Sequence, residues 1–390
     1  MSNSISSGAH SFATPGSIVY GSGALERAKD QLAALGTKAL VVTDATMARL
    51  GNLQLATDLL EDCGLGHAVY DKVNSEPLDT MVDEAGGLYV REGCDLLVAL
   101  GGGSPIDTMK AVALTVASGR PVASFVGSPY AGPTPPMVAV PTTAGTGSEA
   151  TQCTIITDTS RDIKMLVSGT SLIPDLAIVD PAFTMTAPAS VTASTGIDAL
   201  CHAIEAYTSR RAQPLSDVLA LSAARRIFSN LATCVQDPGN VAAREQISLA
   251  ATEAGMAFNN SSVTIVHGMS RPIGAIFHVA HGLSNALLME ECLTFAAEGA
   301  PGRFADVARF CGLSVTADDN VASQDLLRAV SALLHEVGIP TLRETRIDLT
   351  SFRDAIPKMV EDALASGSPA NTIRPVTADD LRRIYERISS

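Results

Sequence analysis

The chain has 390 residues, of which 46% are hydrophobic, 17% charged and 4% aromatic, and its formal net charge is −14. So apolar a chain can bury enough surface to offset its ordering entropy, which excludes disorder, and its acidity disfavours nucleic acid or an anionic membrane surface as a partner. Its apolar runs are broken by Gly, Pro or charge, so no stretch is expected to reach the roughly 18 to 20 residues that span a bilayer.

Length gives a prior of about two to three domains. The start, Met1 to Gly8, is polar and lacks the basic head and apolar stretch of a signal peptide. A helix-like stretch, Leu25 to Leu35, precedes the buried strand Lys38 to Thr43. Further buried strands are predicted at Asp95 to Leu100, Met137 to Val140 and Leu176 to Val179, with helices at Leu53 to Cys63 and Ser104 to Ser118. Strands apolar on both faces, alternating with helices, are the pattern of a parallel sheet covered on both sides. After about Pro181 strands nearly vanish and helical stretches follow one another at 196–208, 215–233, 240–258, 323–336 and 349–365. The prediction is an α/β domain over 1–184 followed by an all-helical domain over 185–390, with the chemistry in a cleft between them. Seven scattered cysteines, Cys63, Cys94, Cys153, Cys201, Cys234, Cys292 and Cys311, form no CxxC pair. They read as free thiols in a reducing cytosol, and a cytoplasmic protein is expected.

Two glycine-containing turns follow strands. In Gly101-Gly102-Gly103-Ser104-Pro105-Ile106-Asp107 the glycines permit a tight turn and close ligand approach, Ser104 is placed to cap the helix, and Asp107 falls where a capping-box acid would. The open N–H groups of that helix suit a pyrophosphate. In 141–149, Thr142, Thr143, Thr146 and Ser148 supply hydroxyls for phosphate, ribose or amide oxygens. Asp44, just after the first buried strand, is placed to accept from adenosine ribose hydroxyls and to repel a 2′-phosphate, favouring NAD over NADP.

The helical half carries a metal constellation. Asp198 and His202, four apart, share one helix face, and His267 and His281 bracket a second segment. Two or three imidazoles with one carboxylate suit Zn²⁺ or Fe²⁺ and leave a position open. By spacing alone His278 can replace His281, and Glu205 or Cys201 can be drawn in.

These residues resemble the iron-containing (group III) alcohol dehydrogenase family. The resemblance rests on GGGSPIDTMK (101–110), PTTAGTGSEAT (141–151), TGIDALCHAIEAY (195–207), AGMAFNN (254–260) and the segment His267 to Asn285. It runs from about Gly16 to the closing stretch Asn371 to Glu386. It implies the dehydroquinate-synthase-like architecture of an N-terminal dinucleotide-binding domain and an all-α C-terminal domain. It also implies NAD with Fe²⁺ or Zn²⁺ as cofactors, a small alcohol or aldehyde as substrate, no nucleic acid or membrane partner, and a homodimer or larger homo-oligomer. The ligand positions carry over onto Asp198, His202, His267 and His281, and the pyrophosphate loop onto Gly101, Gly102, Gly103 and Ser104. Asp107 matches the acid after that loop, Thr142, Thr143 and Thr146 the second nucleotide loop, Lys164 a basic residue near the nicotinamide ribose, and Asp44 the ribose-reading acid.

Three departures stand out. Arg271 occupies the place where many members have a second histidine credited with proton relay, and arginine cannot shuttle a proton near neutral pH. The relay then falls to a ribose hydroxyl, water or His278. Ala280-His281-Gly282 replaces a common Pro-His-Gly, and Glu76-Pro77 stands where some members have Asn before Pro. The expected reaction is hydride transfer between nicotinamide C4 and a metal-bound small alcohol or aldehyde, with Arg271 facing an anionic substrate group. The alternatives are a metal-dependent cyclase or lyase of the dehydroquinate-synthase type and an inactive scaffold of the same fold.

Overall fold

The computed structural model describes residues 8–73, 76–161 and 163–390, so Met1 to Ser7 of the polar start lie outside the described residues. The chain divides into two units, residues 13–187 and residues 188–390 with 8–12.

The first unit runs β1 (Ser17–Tyr20), α1 (Ala24–Arg27), α2 (Lys29–Ala33), β2 (Lys38–Val42), α3 (Ala45–Arg49), α4 (Asn52–Asp62), β3 (Gly66–Tyr70), α5 (Asp79–Glu92), β4 (Leu96–Gly101), α6 (Gly103–Ser118), β5 (Met137–Pro141), β6 (Cys153–Asp158), β7 (Ile163–Ser168) and β8 (Leu176–Val179). Six strands form one parallel sheet in the order β1-β8-β5-β4-β2-β3. Successive side chains of a strand point to opposite faces, and the core divides accordingly. Leu40, Val42, Leu97, Ala99, Met137 and Ala139 pack with α5 and α6, whereas Ala39, Val41, Leu96, Val98, Val138 and Val140 pack on the other face with α1, α2 and α4. The four expected strands are therefore the interior ones, buried on both sides. The two unexpected strands of the sheet, β1 and β3, are its edges and are only partly buried. The single helix expected from Leu25 to Leu35 is instead two short ones, because at Ala28 the backbone turns and its N–H is shared between Ala24 O and Leu25 O. β6 and β7 form a separate antiparallel hairpin.

The chain leaves β2 outward to β3, returns past it to β4, then continues the other way to β5. Loops at the carboxyl ends of β2 and β4 therefore flank the point where strand order reverses, the usual ligand position in such sheets. Thr43 Oγ1 donates to Leu100 O at 2.7 Å and ties those two strand ends together.

The second unit is helical: α7 (Ala189–Thr208), α8 (Pro214–Gln236), α9 (Val241–Asn259), α10 (Ile265–Phe277), α11 (His281–Ala297), α12 (Pro301–Phe310), α13 (Asp319–Glu336), α14 (Leu349–Ala365) and α15 (Ala378–Ile388). α7 is the central element, buried without a break from Gly196 to Thr208. Its neighbours approach closely because glycines stand at the crossings. A Cβ on Gly196 would lie 2.3 Å from Leu231 of α8, and one on Gly282 would lie 2.6 Å from Ser194 O of α7. α8 corrects one expectation, since its 23 residues are long and apolar enough, by length and composition alone, to cross a bilayer. Within the bundle it carries Arg226, paired with Glu253 of α9, and Asp217, paired with Arg303 of α12. The described cysteines are all free, four of them buried.

Candidate metal centre and nucleotide loops

Three helices of the second unit deliver four donors to one point. Asp198 and His202 sit one turn apart on α7, His267 lies in the first turn of α10, and His281 is the first residue of α11. One ligand atom from each lies within 4.8 Å of the others. The chain path brings His281, and not His278, into this group. α10 ends at His278, which takes a left-handed conformation with φ 54°, and the chain turns there so that α11 opens on His281. His278 is exposed and outside the donor group.

The electrostatics are those of a tight mixed cluster. Asp198 Oδ1 lies 3.6 Å from His267 Nε2 and 3.7 Å from His281 Nε2, and it accepts from Asn285 Nδ2 at 2.6 Å. Burial works against the Asp198 carboxylate, but the surrounding imidazoles outweigh it and hold the group well below the usual range. Burial also pulls His202 down to about 3, so it stays a neutral imidazole. Burial lowers His267 as well, yet Glu205 and Asp198 on its two sides raise it to about 9. His202 stacks between His267 and Phe258, with ring centroids 4.4 and 4.3 Å away.

This donor set fits a divalent cation. With bonds of about 2.1 Å, donors across one ion stand at most roughly 4.2 Å apart, close to the spread found here. Two polar atoms in the cluster, His202 Nδ1 and Asn285 Oδ1, are buried without a hydrogen-bond partner, which is costly in a site closed on itself. One carboxylate with three imidazoles matches iron or zinc rather than magnesium or calcium.

In the first unit the two glycine turns pack on each other. A Cβ on Gly102 would lie 3.1 Å from Thr143 Oγ1, and one on Gly103 would lie 3.1 Å from Thr146 Cγ2. Thr142 N donates to Gly101 O at 3.0 Å. Gly101 has φ 154°, and a Cβ there would strike the Pro105 ring at 2.4 Å. The sequence-based cap needs correcting. The helix begins at Gly103 with Gly102 as its cap, so Ser104 lies inside the first turn and makes no side-chain cap bond. Asp107 does not close a capping box either. It accepts from Ser148 Oγ at 2.6 Å and Ile155 N at 2.9 Å, and α6 has no side-chain cap hydrogen bond.

Asp44 caps α3, taking Thr46 N and Met47 N on Oδ1. Lys164, on β7, pairs with Glu76 at 2.6 Å, so two positions singled out in the sequence meet each other. Arg271, one turn beyond His267 on α10, donates to Ser368 Oγ at 3.1 Å.

Sequence reasoning missed Asn285 and Lys110, and it named Glu205 only as a residue that can be drawn into the ligand set. Asn285 braces Asp198, and Glu205 holds His267 Nδ1 at 2.5 Å. Fully buried Lys110 reaches Ser148 O, Thr151 O, Thr151 Oγ1 and Cys153 O within 3.0 Å, clamping the end of the second glycine-containing turn and the chain after it. A lysine inside the apolar run IDTMKAVAL, three residues after an acid, was the available signal for that one.

Comparison with known proteins agrees over the whole chain. The family model for iron-containing alcohol dehydrogenase matches residues 15–181, and the C-terminal model of the Fe-containing alcohol dehydrogenase family matches 192–389. The NAD-dependent methanol dehydrogenase of Bacillus methanolicus is 35% identical over 386 residues, covering 96% of this chain and 98% of that protein. The crystal structure of a 1,3-propanediol oxidoreductase superimposes with a TM-score of 0.93 at 33% identity, covering 98% of this chain and all of that one. The sulfoacetaldehyde reductase of Bifidobacterium kashiwanohense, solved in complex with NAD⁺, gives 0.85 at 29% identity, covering 98% and 99%. These relatives support the dehydrogenase reading over the cyclase and the inactive scaffold. The chain belongs to the iron-containing alcohol dehydrogenase family and is a metal-dependent, NAD-linked oxidoreductase of small alcohols and aldehydes.

Proposed function

We propose that Asp198, His202, His267 and His281 hold one divalent cation, and that NAD is held by the β4–α6 turn (Gly101, Gly102, Gly103, Ser104), by Thr142, Thr143 and Thr146, and by Asp44. The single observation that carries this is the convergence of one carboxylate and three imidazoles from α7, α10 and α11 within 4.8 Å. When bound, the cation supplies Lewis acidity toward an alcohol or carbonyl oxygen, and the nicotinamide supplies the hydride donor or acceptor at C4.

The chain's own residues set the conditions. Asp198 contributes the one negative charge, and Asn285 holds its Oδ1 in place. His202, kept neutral by burial, offers a lone pair at neutral pH. The half-buried start of α6, Gly103 and Ser104, presents backbone N–H groups to a pyrophosphate, and Asp107 supports the facing loop from behind rather than touching the nucleotide. Asp44 spends Oδ1 on α3 and keeps Oδ2 for ribose hydroxyls, where its charge opposes a 2′-phosphate. Lys164 reaches the nicotinamide ribose only by leaving Glu76. Arg271 cannot carry a proton, so it binds the polar or anionic end of the substrate, and exposed His278 exchanges the proton with solvent.

The test is NADH oxidation with a panel of small aldehydes after anaerobic loading with Fe²⁺ or Zn²⁺. Asp198→Ala and His202→Ala are expected to abolish both metal content and turnover. Retained turnover in either refutes the site. Arg271→Ala is expected to lose activity selectively on anionic aldehydes, and an equal loss on neutral ones removes its assigned role.

A further inference from the structure

Glu205 is fully buried on α7, seven residues after Asp198 and three after His202. Its carboxylate is hydrogen-bonded to the start of α10. Oε1 accepts from Thr264 Oγ1 and from Val266 N, each at 2.7 Å, and Oε2 meets His267 Nδ1 at 2.5 Å. Thr264 is the cap residue of α10 and Val266 its second position, so one carboxylate from a neighbouring helix satisfies an open N–H of that helix and holds the ring beside it. Oε1 is taken by two donors, and Oε2 is left to Nδ1, an arrangement that suits a carboxylate accepting the Nδ1 hydrogen. With Nδ1–H held there, Nε2, the nitrogen 3.6 Å from Asp198 Oδ1, is the one left to give up its hydrogen to a cation.

We propose that Glu205 is a positioning residue that fixes His267 in its Nδ1–H tautomer, so that Nε2 alone faces the cation site. The proposal rests on the reading of Asp198, His202, His267 and His281 as the cation-holding set. Cys201, Glu205 and His267 also form a group of donor atoms close enough to hold an ion. That group is fully buried, and Glu205 Oε1 is already committed to α10. The geometry therefore assigns it to hydrogen bonding, with one cation per chain. Residues that bond the far nitrogen of a ligand histidine commonly change metal affinity by about 10- to 100-fold when replaced.

Glu205→Gln tests this, because the new side chain keeps an oxygen for Thr264 and Val266 but turns an NH₂ donor toward Nδ1. His267 must then accept at Nδ1 and carry its proton on Nε2. Titration of the metal-depleted full-length protein with Zn²⁺ against a chromophoric competitor should show one ion per chain in wild type. Glu205→Gln should weaken it about 10- to 100-fold, with little change in the melting of the metal-free protein. Thr264→Val, which removes part of the same cap without touching His267, should lower metal-free stability and leave Zn²⁺ affinity unchanged.

Wild-type affinity in Glu205→Gln overturns the proposal, as does an equal loss of affinity in Thr264→Val. Asp198→Ala separates the two readings: if it too binds Zn²⁺ normally, the cation site itself is wrong. Long-range ¹H–¹⁵N spectra of the zinc-loaded, histidine-labelled wild type need no variant. They should show His267 protonated at Nδ1, and zinc on Nδ1 refutes the assignment.

Discussion

Replacing Lys110 by Met should destabilise the protein severely, and the size of the effect follows from the acceptors around its ammonium group. Lys110 is fully buried, and three carbonyls surround Nζ: Ser148 O at 2.7 Å, Thr151 O at 2.8 Å and Cys153 O at 3.0 Å. Burial pulls Lys110 down from its ordinary value and pushes Asp107 up, and the opposite charge of each partly offsets the shift in the other. Methionine fills much of the same volume but donates nothing. Three buried carbonyls then lose a charged donor, at roughly 1–3 kcal/mol each. Removing one member of a buried charged cluster typically costs about 3–5 kcal/mol, and we expect a loss near the middle of that range. For a unit of this size each kcal/mol corresponds to roughly 2–4 °C in Tm. The assay is thermal and urea unfolding of Lys110→Met beside wild type, with NAD titrated into the folded fraction. Since Ser148 lies in the 141–149 turn proposed to hold NAD, the KM for NAD should rise more than kcat falls. A variant as stable as wild type, with unchanged NAD affinity, would show that desolvating the lysine cancels everything its hydrogen bonds supply.

Two other expectations follow from the first unit. Gly101→Ala places a Cβ 2.4 Å from the Pro105 ring at a backbone angle of φ 154°, so overpacking and backbone strain together should cost about 2–4 kcal/mol; an unshifted melting curve would show that α6 can back away. Asp158 is held down to about 2, first by the hydroxyl of Ser160 at 2.6 Å and then by Arg161. A carboxylate depressed below its unfolded value of about 3.9 stabilises the fold above that pH, and the contribution fades as pH falls toward 2. The stability gap between wild type and Asp158→Asn should therefore be full at pH 6 and clearly smaller at pH 3, and a constant gap would contradict it.

What the sequence discloses depends on how local each cause is. β2, β4, β5 and β8 are interior strands, and burial on both faces writes an apolar run that needs no knowledge of neighbours. β1 and β3 have one neighbour each and only partial cover, so their composition stays mixed and no run marks them. The same distinction governs the candidate metal centre. Asp198 and His202 declare themselves because a four-residue spacing within one helix is a local fact. His267 and His281 are legible as residue types only, since what brings them to α7 is helix packing, permitted at Gly282 by the absence of a side chain against Ser194 O. That His281 rather than His278 joins the group goes with a local turn the sequence does not announce, in which His278 takes a left-handed φ of 54° and α11 opens on His281. Glu205 and Asn285 are less legible still. Each acts on a partner 62 or 87 residues away, and neither has a spacing that distinguishes it from an ordinary helix position. Donor identity is thus written in residue type and short spacing. The orientation of those donors is written in contacts that exist only once three helices have packed.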